Sequence, residues 1–295
     1  MNIGRNGKFL AVCLSVVALV TIGVVGFMFY ARVGEPLFIK NYCEYNWDSN
    51  GDGNSLSGYF RIQYLADSYD SRRVTGIEFP ELPEGEAIFY ASEFDEIYVG
   101  DVFGIYSVHT VEVSISPAFL RGERGDSEMV LRNAVVRFSD GSTREVDFGE
   151  IRIRERTDNS RRLISQRSTS AVTMPSGDYY METYRGNEDF TVVDFSVTPL
   201  FDAAGLFAIT LNDIPIDEIA GMEINRGDAV VFRTDFFESD EDAELFVEYC
   251  LRTVFTAKDS LGLEISRETG FVSAKPRFGF WKILRFVTGQ GRGEV

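Results

Sequence analysis

The segment Asp48-Ser49-Asn50-Gly51-Asp52-Gly53 has the residue types of the first half of a calcium loop. Oxygen ligands at the first, third and fifth loop positions, followed by glycine, wrap one side of a hard cation. The twelfth position, where a bidentate carboxylate closes such a loop, is Tyr59, and no helical pattern flanks the segment. The same residues also make a tight polar turn, because Asn, Asp and Gly tolerate left-handed backbone. Calcium on Asp48, Asn50 and Asp52 would need a carboxylate from elsewhere in the chain. No other cofactor is expected.

His109 is the single histidine and lies in the alternating run IYSVHTVEVSI, which reads as a strand. A Ser-His-Asp triad would have to use it, but no Gly-x-Ser-x-Gly elbow accompanies it. Carboxylates gather at Glu93–Glu96 and Glu238–Glu244. Glycoside hydrolysis needs two carboxyl groups facing each other across a cleft, one of them buried. Consecutive acids in turn-like segments repel one another toward water and nominate no catalytic pair. An arginine cluster spans 152–167 in an otherwise acidic chain. Guanidinium groups there suit an anionic partner or neighbouring Asp and Glu.

Of three cysteines, Cys13 falls in an apolar run, which leaves Cys43 and Cys250 as the candidate disulfide in an oxidising compartment. With no Cys-x-x-Cys spacing, zinc and thioredoxin-like chemistry are not supported. No Asn-x-Ser/Thr acceptor occurs, which suits a prokaryotic exterior. At the far end, KPRFGFWKILRFV interleaves Phe278, Phe280 and Trp281 with Lys282 and Arg285. Such a stretch is too short and too charged to span a bilayer, but rings beside cations suit the membrane interface. Packing of the same segment on the domain is the competing expectation.

The elements that must position these residues begin with an anchor. From Phe9 to Ala31 there are 23 uncharged residues, and at about 1.5 Å per residue a helix of that length crosses a hydrocarbon layer of ~30 Å. The run is longer than a cleaved signal core, and Phe29 stands where a cleavage site wants a small residue. Arg5 and Lys8 before it, against Arg32 after it, put the N-terminus in the cytoplasm and the rest outside. The net charge of −17 is uneven: residues 1–40 carry three net positive charges and 275–295 carry four, so 24 net negatives fall to 41–274. That field excludes nucleic acid as a partner.

Period-2 alternation dominates the chain beyond the anchor. Strands are expected at Gly58–Leu65, Ile105–Ile115, Met129–Phe138, Phe190–Val197, Leu206–Leu211, Ala229–Phe236 and Leu245–Ala257, with hairpins turning at Ser139–Ser142 and Lys258–Gly262. The fold class is mainly β, one or two antiparallel β-sandwich units after a single transmembrane helix. The expected organisation is a cytoplasmic tail at 1–8, the anchor at 9–31, a connector at 32–40 and a β domain at 41–155. A polar Arg/Ser-rich linker or loop at 156–177, a second sandwich at 178–274 and a basic aromatic segment at 275–295 complete it.

Function is expected to be that of a membrane-anchored extracytoplasmic binding or assembly module without catalytic activity. Its partners would be the bilayer, through residues 9–31, and another protein. An accessory or sensory subunit of a membrane complex, and a membrane-tethered carboxylate-dependent hydrolase, are the alternatives.

Overall fold

The computed structural model describes residues 6–47, 59–82, 87–90, 101–115, 129–155, 163–174, 177–197, 207–236, 246–274, 276 and 278–290. The calcium-loop residues Asp48, Asn50 and Asp52 and the acidic runs at 93–96 and 238–244 lie outside them.

A helix, α1 (Asn6–Tyr30), opens the chain. Its span from Phe9 to Tyr30 is long and apolar enough to cross a membrane, and none of it is buried against the rest of the protein. Two polar side chains inside it turn back on their own helix. The Ser15 hydroxyl donates to the Ala11 carbonyl at 2.9 Å and the Thr21 hydroxyl to the Val17 carbonyl at 2.8 Å. Each therefore brings no unsatisfied polar group to an apolar environment.

Eighteen strands are described after it: β1 (Leu37–Phe38), β2 (Lys40–Trp47), β3 (Tyr59–Asp67), β4 (Val74–Glu78), β5 (Ala87–Tyr90), β6 (Val102–Phe103), β7 (Tyr106–Ile115), β8 (Met129–Phe138), β9 (Thr143–Glu155), β10 (Ile164–Met174), β11 (Gly177–Gly186), β12 (Phe190–Val197), β13 (Phe207–Leu211), β14 (Ile214–Pro215), β15 (Glu223–Ile224), β16 (Ala229–Phe236), β17 (Val247–Asp259) and β18 (Glu264–Ala274). Helix α2 (Phe280–Gln290) closes the described chain. The mainly β architecture after an N-terminal apolar helix agrees with the sequence, and every expected strand is present within a few residues.

Three sheets build two apolar cores. One sheet runs β1-β3-β7-β5, with β6 also on β7; a second runs β10-β11-β16-β13-β14; the largest runs β15-β12-β17-β2-β9-β8-β4, with β18 along the other side of β17. The first core lies between β3–β7 and β4–β8–β9, around Phe60, Ile62, Leu131 and Phe148. The second lies between β11–β13–β16 and β12–β17, around Tyr184, Phe195, Phe232 and Phe255. Strand β17 carries the large sheet through both. Val247–Cys250 pair with β2, Thr253–Asp259 pair with β12 on the same side, and β18 runs along the opposite side.

Two features differ from the sequence expectation. Strand β10 occupies half of 156–177, the stretch expected as linker or loop, and pairs with β11 along its length. As the end strand of its sheet it leaves Gln166–Thr169 exposed on both faces. A stretch exposed on both faces has no apolar alternation to show. Strand β2 runs parallel to both β9 and β17, whereas hairpin signals had suggested antiparallel neighbours throughout.

The alternation of β8 also slips. Met129 and Leu131 point inward, then Ala134, Val136 and Phe138, because the β8–β9 register shifts between Leu131 and Asn133. On β9 this bulge contains Gly149, at φ +83°, and a Cβ there would stand 2.7 Å from the Asn41 carbonyl oxygen of β2. Positive φ and close approach of β2 both require glycine at this point. Gly149→Ala is expected to lower unfolding stability by about 2–3 kcal/mol in denaturant titration, and a change under about 0.5 kcal/mol would show that β2 does not bear on the bulge as described.

Candidate functional site

A densely bonded polar cluster gathers where α1 meets the domain. The helix closes with the Ala31 N–H on the Phe27 carbonyl at 2.8 Å. Arg32, Gly34 at φ +75° and Pro36 then turn the chain toward β1. The carbonyls of a last turn have no helical donor, and here the Tyr106 hydroxyl donates to the Ala31 oxygen at 2.8 Å. Burial, with the nearby Asp67 carboxylate adding to it, pushes that hydroxyl up to about 12. It keeps its proton, and so its donor role, across the physiological range.

Asp67, the last residue of β3, holds the next step. Its carboxylate accepts the Val33 N–H at 3.0 Å and the Gly34 N–H at 3.4 Å, with the Arg32 guanidinium 3.4 Å away. Its side chain is 3% exposed. A carboxylate that deep is tolerated only when donors surround it, and three donors on consecutive residues do so here. Further along, Arg72 donates to the Gly34 carbonyl at 2.8 Å while gripping Asp70, and Arg144 donates to the Pro36 carbonyl at 2.7 Å and pairs with Glu35 at 3.4 Å. Residues 31–36, most of them in the connector expected at 32–40, are thus bonded to three strands and one turn.

Beneath it is a third, smaller core of Ile39, Leu65, Tyr106, Val108 and Phe246, completed by Ile283 of α2. The Phe280 ring lies 5.9 Å from the Tyr106 ring and against Gly104, where a Cβ would be 2.9 Å from it. Phe278 meets Phe103 at 6.1 Å and Phe246 at 5.8 Å. Of the five residues the sequence assigns to a membrane interface, Phe278 and Phe280 are therefore taken up by the protein. Trp281 is 70% exposed, Arg285 is exposed and Lys282 half-buried. The helical period explains the split: 280, 283, 284 and 287 fall on one side, 281 and 285 on the other.

Cys43, Cys250, Arg152, Arg154 and His109 are engaged within the fold. Cys43 and Cys250 are register partners on the parallel strands β2 and β17. Both are buried, and their sulfurs are not joined. The Cys43 thiol contacts the Glu248 carbonyl at 3.7 Å, and Tyr45 Oη lies 3.7 Å from Cys250 Sγ. Burial pushes the Cys43 thiol well up. Arg152 and Arg154 of the arginine cluster are ion-paired with Glu150 and with the buried Glu44. His109 shares a hydrogen bond of 2.8 Å between Nε2 and Ser107 Oγ and stacks on Tyr64 at 4.8 Å. Among the described residues no group of three or more His, Cys, Asp or Glu could hold a metal ion. Asp67, Tyr106, Arg72 and Arg144 carry no local signal in the sequence, since their partners in the connector stand more than thirty positions away.

No family model matches the sequence, and no curated protein aligns with it. Among solved structures, the YadV chaperone is similar at 8% identity and TM-score 0.26, over 79% of this chain and 98% of its own. The periplasmic chaperone SfaE stands at 9% and 0.25, over 82% and 100%. Extracellular cadherin domains 3–6 of protocadherin gamma B2 stand at 12% and 0.22, over 81% and 46%. Overlaps this slight carry no partner or activity over to this chain.

Two measurements check this geometry. Asp67→Ala removes the acceptor of two N–H groups and the partner of Arg32, and is expected to cost about 3 kcal/mol of unfolding free energy. Amide exchange at Val33 and Gly34 should then accelerate while the second core is unchanged; unaltered exchange would mean the carboxylate does not hold the connector. For His109, burial first and the Arg73 charge second lower the pKa to about 4. The unfolded imidazole, near 6.5, binds a proton at higher pH than the folded one, so this contribution is complete above pH ~6.5 and is lost as pH falls toward ~4. His109→Gln should flatten the stability profile in that window by about 2 kcal/mol, and parallel profiles would place the titration elsewhere.

Proposed function

We propose that the chain is a membrane-anchored, extracytoplasmic β-sandwich module that binds or assembles with another protein, held to its bilayer by α1. The observation that carries this reading is the pairing of an apolar span, none of it buried, with an exit whose backbone is bonded into the domain. An unburied 22-residue apolar helix is at home in lipid and costly in water.

The buried titratable groups support a binding rather than a catalytic role. Glu44 pairs with Arg154, Asp67 holds the exit, His109 bonds Ser107, and Glu182 accepts the Tyr180 and Tyr184 hydroxyls at 3.0 and 2.8 Å. Each is engaged in holding its own surroundings. An accessory or sensory subunit is a second reading, favoured by the stitched connector, through which a load on the sandwiches reaches α1. Outside the cytoplasm, Cys43 and Cys250 would bridge, because neighbouring strands at about 4.8 Å separation meet the Cα spacing of a disulfide.

The test is topology. The full chain should remain in membranes washed with alkaline carbonate, protease added outside spheroplasts should degrade the domain, and non-reducing peptide maps of that material should link Cys43 to Cys250. Release by carbonate overturns the anchor, protection from protease overturns the orientation, and two alkylated thiols overturn the bridge alone.

A further inference from the structure

Three exposed apolar side chains from three separate elements connect to the exit of α1 through short chains of contacts. Tyr69, 54% exposed, lies under the Arg32 guanidinium at 5.9 Å. Val102, 53% exposed, pairs with Ser107 on β7, beside the Tyr106 that holds Ala31. Trp281 packs its ring 5.0 Å from Phe280, which rests on the same Tyr106. Each is therefore one to three contacts from Ala31, the first residue past the helix.

From these positions we propose that Tyr69, Val102 and Trp281 form a collar that enters the phospholipid headgroup layer of the bilayer α1 spans. The inference rests on the anchoring proposed above and adds which face of the domain meets the lipid. A span of 22 residues covers about 33 Å, so Tyr30 reaches headgroup level, and the headgroup regions add roughly 5–8 Å beyond the ~30 Å of hydrocarbon. Residues packed about Ala31 share that depth. Tyr and Trp favour this zone because the ring body is apolar while the hydroxyl or indole N–H stays wet. Charge agrees with it: Lys282 and Arg285 share α2 with Trp281 and suit lipid phosphates, while Arg32 is held by Asp67. Of the nearby acids, Asp67 is engaged by the exit, Asp70 by Arg72 and Glu35 by Arg144, while Asp101 beside Val102 is exposed. Phe280 on Gly104 and Ile283 in the third core fix α2, so Trp281 is presented on a rigid support.

The full chain is reconstituted into phosphatidylcholine vesicles containing phosphatidylglycerol, with bromines placed either high or low on the acyl chains. Trp281→Phe, at an exposed position, is compared with wild type; Trp47 is common to both. Wild-type emission should be quenched by the shallow bromines more than by the deep ones, and the shallow-quenched component should fall at least about threefold in the variant, as expected of an interfacial indole. Equal quenching of the two proteins, or none, in vesicles that float with the protein overturns the collar and leaves the anchor standing. Protein that does not float with the vesicles overturns both.

Discussion

The structure turns on a buried carboxylate facing the end of an apolar helix. When α1 stops, the backbone of Arg32–Gly34 leaves the helical ladder and its N–H groups lose their i−4 acceptors. Asp67, placed at the end of β3, is equally unstable by itself, because a carboxylate cut off from water has no solvation. Together they remove each other's penalty, with the Val33 and Gly34 amides and the Arg32 guanidinium converging on one side chain. Tyr106 completes the arrangement at the Ala31 carbonyl. The connector is thereby converted from a hinge into part of the first sandwich, and the direction in which the domain leaves the helix is set by β3 and β7.

That fixed exit reaches the second sandwich through a single strand. Phe246, immediately before β17, belongs to the third core beneath the exit, while Phe255 and Ala257 of β17 belong to the second core. Between them β17 exchanges its partner from β2 to β12 without leaving the sheet. The two cores share one hydrogen-bonded layer. Cys43 and Cys250 sit at this crossing, adjacent on parallel strands. The bulge at Gly149 lets β9 bend so that it can serve β8 on one edge and β2 on the other.

Much of this was legible in the residues. Met129–Phe138, Phe190–Val197 and Ala229–Phe236 are strands with the bounds their alternation implies. Each has one face on a core, so burial is written into the sequence as period two, broken where register shifts interrupt β8 and β12. The hairpin at Ser139–Ser142 comes from local turn chemistry, and Asp140 accepts the Ser142 N–H at 2.9 Å. Strand β10 was not legible, because exposure of Gln166–Thr169 on both faces erases the alternation there. The aromatic C-terminal stretch announced an amphipathic element, but its composition suits a protein surface and a lipid surface equally. Only docking against Tyr106 and Gly104 divides it into an inward Phe280 and an outward Trp281.

By itself, then, the sequence determined the properties that are local in the chain: an uncharged run long enough to span lipid, strand periodicity, turn positions and an acidic domain between basic ends. These depend on neighbours within a turn or a strand, where spacing alone fixes which face a side chain occupies. Tertiary structure decided the pairings that close long loops. Asp67 meets residues 33 and 34 positions earlier, Tyr106 one 75 earlier, and Arg144 one 108 earlier. It likewise set β2 between two parallel neighbours and brought Cys43 beside Cys250. An isolated Asp at a strand end has the same letters whether it faces water or a helix exit, and packing is what selects between them.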